Sequence, residues 1–413
     1  MMRISFLSAS GQLGGAETSL LDALASLRAA RPAWRLQLVI ASDGPLAARA
    51  EALGVTTVSA PFPPSVARLG ERSAASSSGG YARFAAQLGL AAGPIASYTA
   101  QLRRALAAFR PDVVHTNGLK MHVLAARAAD ATPIVWHVHD YIGPRPVSAR
   151  LLRWNVSRCA AVVANSRSVA DDVRAVLGND VDIVPIHNAV DLQRFSPHSP
   201  VADLDRLAGL PAAAAGTVRV GLVATYARWK GHAAFIEAIA KLPPDLAVRA
   251  YIVGGAVYQT DGSQYSAGEL KDLAKASGVA DRVGITGFVV QPEAALRALD
   301  VVVHASTAPE PFGVVIAEAM ACGRAVVMSH AGGAAELVTP NVNALPHTPG
   351  DVNELAAAIE RLARDAALRA RLGAAARATA ERMFDRARLA DDLIPVYETA
   401  VKRSPERLAL PRT

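Results

Sequence analysis

Residues 301–328 open with Val301-Val302-Val303-His304, turn through Glu310-Pro311-Phe312-Gly313, run on as Val314-Val315-Ile316-Ala317-Glu318-Ala319-Met320-Ala321-Cys322 and close with Ala325-Val326-Val327-Met328. A short, unbroken apolar run bounded by turn residues reads as a strand buried on both faces. The glycine opens an apolar helix over 313–322, and a second apolar strand follows. Strand, helix and strand in that order make a crossover between parallel strands.

The same alternation extends in both directions. Strands are expected at 4–8, 36–40, 55–58, 113–115, 134–139, 161–164 and 181–185, then at 218–223, 250–253, 283–286, 301–304 and 325–328. Two such sets predict an α/β protein of two Rossmann-like domains with parallel sheets. The length of 413 residues agrees, since domains run to roughly 100–200 residues. Prolines and serines at 195–200 mark a linker, giving domains 1–193 and 194–385. A helix over about 385–402 is expected, with 386–413 packing back on the first domain. An irregular stretch at 61–80 reads as a loop of the first domain.

Composition narrows the function. Hydrophobic residues are 51% and charged residues 19%, enough for two cores and against global disorder. Aromatics are only 5%, so Ala, Val and Leu build those cores. The net charge of +7 suits an anionic partner, but the basic residues are spread out, so no nucleic-acid partner is expected. Cys159 and Cys322 are far apart in apolar surroundings and read as buried reduced thiols. The first apolar run, from Ile4, is too short for a signal peptide. The most apolar stretch, 84–98, is broken by Gln87, Gly89, Gly93 and Pro94. A cytoplasmic protein is expected, at most peripheral to the inner face of a membrane.

In open parallel sheets ligands bind beyond the carboxyl ends of the strands, so chemistry is sought there. After the first strand, Gly11, Gly14 and Gly15 precede Ala16-Glu17 and an apolar helix. Their spacing is not GxGxxG, which disfavours a dehydrogenase. After the fifth come His137 and His139, on one face by strand alternation, without an evident third metal ligand. His115 also ends a strand, with Asn117 and Lys120 following. After strand 218–223, Arg228-Trp229-Lys230-Gly231 places two cations before a helix, a pattern suited to a diphosphate and equally to a solvated turn. Glu310 stands before the helix at Gly313 and Glu318 inside it, about 8 Å further along the axis. Between them the N–H groups of Gly313, Val314 and Val315 face phosphates. Asp180-Val181-Asp182 and Asp203-Leu204-Asp205 imitate a metal-binding DxD but fall outside this site.

The element Glu310-x7-Glu318 with Pro311-Phe312-Gly313, continuing through Ala321-Cys322-Gly323 to Gly332-Gly333 and Glu336, resembles the retaining glycosyltransferases of family 4. Asn188-Ala189-Val190-Asp191, Trp229-Lys230-Gly231 and Gly14-Gly15-Ala16-Glu17 extend the resemblance over nearly the whole chain. It implies the GT-B fold, two facing Rossmann-like domains with an interdomain cleft. It also implies transfer of a sugar from a nucleotide-diphosphate donor to a sugar or lipid-linked hydroxyl acceptor, in bacterial polysaccharide or other glycoconjugate biosynthesis.

Carried over residue by residue, the resemblance makes His139, Lys230 and Glu310 the catalytic group. Lys230 stabilises the leaving diphosphate and His139 stands near the reacting carbon. Glu310 and the backbone of Phe312, Gly313, Val314 and Val315 hold the sugar and nearby phosphate. Glu318 binds the ribose, and Gly14 and Gly15 approach the diphosphate. The family's arginine five residues before the lysine is replaced by Thr225, and Arg228 is the nearest substitute. Charge is then stabilised without a metal or cofactor. An epimerase, a phosphorylase or a non-catalytic nucleotide-sugar-binding subunit are the alternatives on this fold. Arg68, Arg72, Arg83, Arg103 and Arg104 make residues 61–104 basic, which suits an anionic lipid-linked acceptor or an ordinary solvated face.

Overall fold

The computed structural model describes residues 1–69, 86–198, 200–256 and 262–403. The chain forms two compact units, Met1–Asn188 with the segment from Arg386 onward, and Ala189–Asp385. Arg72, Arg83 and most of the loop expected at 61–80 lie outside the described residues.

The first unit carries a seven-stranded sheet: β1 (Arg3–Ser8), β2 (Arg35–Ile40), β3 (Thr56–Ser59), β4 (Val113–Asn117), β5 (Ile134–Val138), β6 (Cys159–Ala164) and β7 (Asp182–Pro185). Its spatial order is β3-β2-β1-β4-β5-β6-β7, every pair parallel. The second unit carries β8 (Val218–Val223), β9 (Val248–Val253), β10 (Val283–Gly287), β11 (Val301–His304), β12 (Ala325–Ser329) and β13 (Leu345–His347) in the order β10-β9-β8-β11-β12-β13, again all parallel. The order reverses between β1 and β4 in one unit and between β8 and β11 in the other. Those are the points where doubly wound sheets open a crevice for ligands.

The apolar run at 301–304 is explained by its two neighbours. Val301 and Val303 pack with Leu222, Phe235 and Ile359 on one face, while Val302 packs with Ile316, Met320 and Phe384 on the other. Every expected strand is present. β13 was not expected: it is three residues long and contains Pro346, which blunts its pattern. β4 runs two residues beyond its expected end, so His115 lies in mid-strand and is fully buried, while His139 sits one residue past β5.

The Pro/Ser stretch expected as a linker is docked on the second unit. Phe195 is buried in that unit's core, and the Arg297 guanidinium donates to the carbonyls of Arg194, Ser196 and Pro200. The helix Arg388–Lys402 belongs to the first unit: Tyr397 Oη meets His115 Nδ1 at 2.9 Å, and Ala390 N–H donates to Ser26. The acids that imitate DxD have structural partners. Asp205 accepts from Tyr251, Arg249 and Arg219, Asp203 caps the turn at Arg206, and Asp182 pairs with Arg403.

His115, His122, His137 and His139 cluster inside the first unit, where burial holds them neutral and repulsion from neighbouring imidazoles adds to it at His115, His122 and His137. The pKa falls to about 3 at His115 and His122 and to about 4 at His139, from an ordinary 6.5. As pH drops, the unfolded chain therefore takes up protons first. The stabilisation is complete above about pH 6.5 and drains away toward pH 4, at up to ~1.4 kcal/mol per pH unit per histidine. The urea midpoint is expected to be clearly lower at pH 5.0 than at pH 7.5; equal midpoints would contradict neutral burial of these rings.

Candidate active site

In the second unit the loops after β8 and β11 close on each other. Trp229 O accepts from Thr307 N–H at 2.8 Å and from Thr307 Oγ1 at 3.2 Å. Gly231 makes the approach possible. Its φ is +79°, and a Cβ there would stand 1.8 Å from the Ala305 carbonyl oxygen. The loops thereby bring Lys230, which follows β8, against Glu310, which follows β11, and their side chains form an ion pair.

Glu310 is only 8% exposed. Its Oε1 accepts from Lys230 Nζ, and its Oε2 from His304 Nε2 at 2.8 Å and Ser306 Oγ at 2.7 Å. Burial on its own would raise its pKa, but Lys230 and His304 outweigh burial and hold the carboxyl well below the usual carboxylate range. Glu310 is therefore an anion at any working pH and not a proton donor. The Lys230 ammonium also lies 4.2 Å from the centre of the Trp229 ring.

Gly313 caps the next helix, Val314–Ala321, with φ +89°. That turn leaves the first helical N–H groups pointing out of the helix end beside Glu310. Phe312 faces the other way, into the core against Phe384. Glu318 is half-buried in the helix. Thr225 is half-buried on the β8 loop. Arg228 is drawn elsewhere: it pairs with Glu269 at 2.7 Å, donates to the Gly262 carbonyl and stacks 4.2 Å over Tyr265. Gly332 and Gly333 lead into a 3₁₀ turn, Gly333–Leu337, and not into an α-helix.

The first unit builds a site of a different kind at its own switch point. Asn117 ends β4 and donates through Nδ2 to the Ala16 carbonyl at 3.3 Å, which turns its Oδ1 onto His139 Nε2 at 2.5 Å. The His139 proton therefore sits on Nε2. Nδ1 is left as a buried acceptor with no partner among the described residues. Helix Gly15–Ala30 starts here: Glu17 accepts the Gly14 N–H at 3.2 Å, while beside Gly15 a Cβ would meet nothing within 4 Å.

The structure thus joins Lys230 to Glu310 in one unit, and His139 to the glycine loop in the other. Sequence reasoning missed His304, Ser306 and Glu17. The signal available for the first two was their place on and just after an apolar strand that leads to Glu310. Among the described residues no group of three or more His, Cys, Asp or Glu side chains is placed to hold a metal ion.

Two family models tile the chain: Glycosyltransferase Family 4 over residues 13–194 and Glycosyl transferases group 1 over residues 214–379. The fold is GT-B, and the chain belongs to the family 4 glycosyltransferases. Among its relatives is a D-inositol 3-phosphate glycosyltransferase of Xylanimonas cellulosilytica, 35% identical over 61% of this chain and 60% of that protein. Another is a 2-deoxystreptamine glucosyltransferase of Streptomyces kanamyceticus, 30% identical over 54% of this chain and 56% of that protein. The chain spans under two thirds of either relative. Among solved structures, HepE of Anabaena in complex with UDP and glucose is 29% identical, with a TM-score of 0.77 over 96% of this chain and 100% of that one. The same protein in complex with UDP-glucose aligns with the same TM-score of 0.77 over 97% of this chain and 100% of that one.

Gly231→Ala tests the packing of the two loops. Positive φ and a carbonyl inside contact distance together should cost about 3 kcal/mol or more of stability. Thermal and urea unfolding measure it, and a variant as stable as the parent would refute the close approach.

Proposed function

We propose that the protein is a retaining glycosyltransferase that moves a sugar from a nucleotide-diphosphate donor to an acceptor hydroxyl. The observation that carries this reading is the Lys230–Glu310 pair at the β8/β11 switch point, beside a glycine-capped helix start. A cation and outward N–H groups suit a diphosphate, and an ionised carboxylate suits sugar hydroxyls. The UDP and UDP-glucose complexes of HepE favour a uridine-diphosphate sugar as the first donor to test.

In this reading Lys230 and the N–H groups of residues 313–315 meet the charge that builds on the departing diphosphate. Glu310 holds the transferred sugar and Glu318 the ribose. His139, neutral, accepts a hydrogen bond from a donor-sugar hydroxyl through Nδ1, and Gly14 and Gly15 lie along the diphosphate. Glu17 must release the Gly14 N–H, and Arg228 must leave Glu269, before either group can serve a phosphate. The leaving phosphate takes the acceptor's proton on the same face, which preserves the anomeric configuration. With Lys230 and the amides supplying the positive charge, turnover should persist in a chelator.

The acceptor is assigned to the first unit. A groove of about 1360 Å³ there is lined largely by apolar side chains such as Phe62, Ile95, Val123 and Leu152. That exceeds the roughly 300–1,000 Å³ of ordinary ligand pockets. Lys120, Arg103, Arg127 and Arg145 also line it, with Asp43 as the single acid among its described lining residues. Trp154, on the same lining, is 71% exposed. Apolar walls with a basic margin fit an acceptor carried on an anionic lipid better than a free sugar.

Nucleoside diphosphates should raise the melting temperature of the wild type, and Lys230→Ala should abolish that shift. Glu310→Gln removes a competing anion beside Lys230. It should tighten nucleoside-diphosphate binding about threefold or more while slowing transfer about 100-fold. An unshifted wild type, or a Lys230→Ala variant that shifts equally, would overturn the phosphate assignment. Sedimentation with vesicles of neutral lipid, with and without added anionic lipid, checks the acceptor side. Binding only to the anionic vesicles is expected, and no binding would refute it.

A further inference from the structure

We infer that His304 and Ser306 are positioning residues that keep the Glu310 carboxylate aimed at the donor sugar once Lys230 turns to the diphosphate. The inference rests on the reading of Glu310 as the residue that holds the transferred sugar.

Glu310 stands on a loop, not in a helix or strand, six residues after the last residue of β11. Its backbone is tied by a bridge to Gly332 and by a 3.4 Å bond from Ala334 N–H to its carbonyl. The direction of its side chain also depends on what grips the carboxylate. The two oxygens are gripped differently. Oε1 is held by Lys230, a flexible cation 17% exposed, whose other natural partner is phosphate. Oε2 is held by His304 Nε2 and Ser306 Oγ, on residues that are 4% and 1% exposed. Those two donors also touch each other, at 3.1 Å.

The asymmetry has a mechanical consequence. When a diphosphate draws the ammonium away, the Oε1 anchor weakens and the Oε2 anchors stay. The carboxylate then keeps its direction and frees an oxygen for a sugar hydroxyl. Without the Oε2 anchors it would follow the lysine toward the phosphates, where like charge opposes it. His304 is itself braced from the unexpected strand β13, because the His347 Nε2 lies 3.2 Å from its backbone carbonyl. Neither His304 nor Ser306 needs to touch substrate for this role.

A merely structural role predicts loss of fold and of all binding together. A positioning role splits them. His304→Leu should lower kcat with the nucleotide sugar by about 10- to 100-fold while the Kd for the nucleoside diphosphate alone stays within about threefold. His304→Gln places an amide N–H near the Nε2 position and should restore kcat to within about fivefold of wild type. Ser306→Ala, a minimal change for which folding is expected, should lower kcat about 10-fold with the same unchanged Kd.

The proposal is overturned if the leucine and alanine variants turn over like wild type. It is also overturned if they lose nucleotide affinity in step with melting temperature, or if glutamine rescues no better than leucine. Failure of the underlying reading is seen separately: the wild type itself would then neither bind the nucleoside diphosphate nor transfer sugar, and the positioning role would fall with it.

Discussion

A carboxylate cannot remain ionised inside a protein without partners, since an unpaired buried charge costs several kcal/mol. Glu310 is such a group, and the second unit is organised around satisfying it. Its ammonium partner comes from the loop after β8, and its imidazole and hydroxyl partners come from β11 and the loop that follows. These elements meet only because β8 and β11 are neighbours, paired Val301 to Val220 through Val303 to Leu222. They stay in contact only because residue 231 has no side chain to hold Ala305 away. Strand order, register and one glycine are thus prerequisites of a single charge arrangement.

The two units answer the same topological opportunity with opposite electrostatics. Each reverses strand order beside its first strand, and each gathers polar side chains there. In the second unit the group is an ion pair. In the first it is a set of neutral imidazoles, with His139 held in one tautomer by Asn117. Neutral donors and acceptors discriminate hydroxyls by direction, whereas a lysine beside helix N–H groups attracts an anion from any direction. Held neutral by burial, His139 carries no charge at neutral pH.

How much of this was legible in the sequence depends on the range of the interaction. Buried parallel strands are announced by contiguous Val, Ile and Leu, and each expected one is present. β13 failed to announce itself because a three-residue strand with Pro346 has little room for a pattern. Lys230, Glu310 and Gly313 stood out because turns and helix starts are local. Prolines and serines at 195–200 describe a backbone without regular structure, which does not exclude tertiary contacts: Phe195 is deep in a core. Arg228 suggests itself as a phosphate ligand because it stands two residues before Lys230 on the same loop. Its real partner, Glu269, caps the helix Ala267–Ala276 together with Ser266, 41 residues away from the arginine.

His304 and Ser306 show where local reading ends. A histidine closing a valine strand belongs to no motif, and its place before Glu310 is the one signal in sequence; the contact itself forms only when the loop folds back. The loop carries Glu310 back onto the strand end, three residues before Gly313 opens the helix Val314–Ala321. The carboxylate, by its cost when unpaired, recruits the lysine, the serine and the histidine around itself. A buried anion near a turn is in this sense informative beyond its own position, because it requires donors that a search of the preceding strand end and the neighbouring loop can supply.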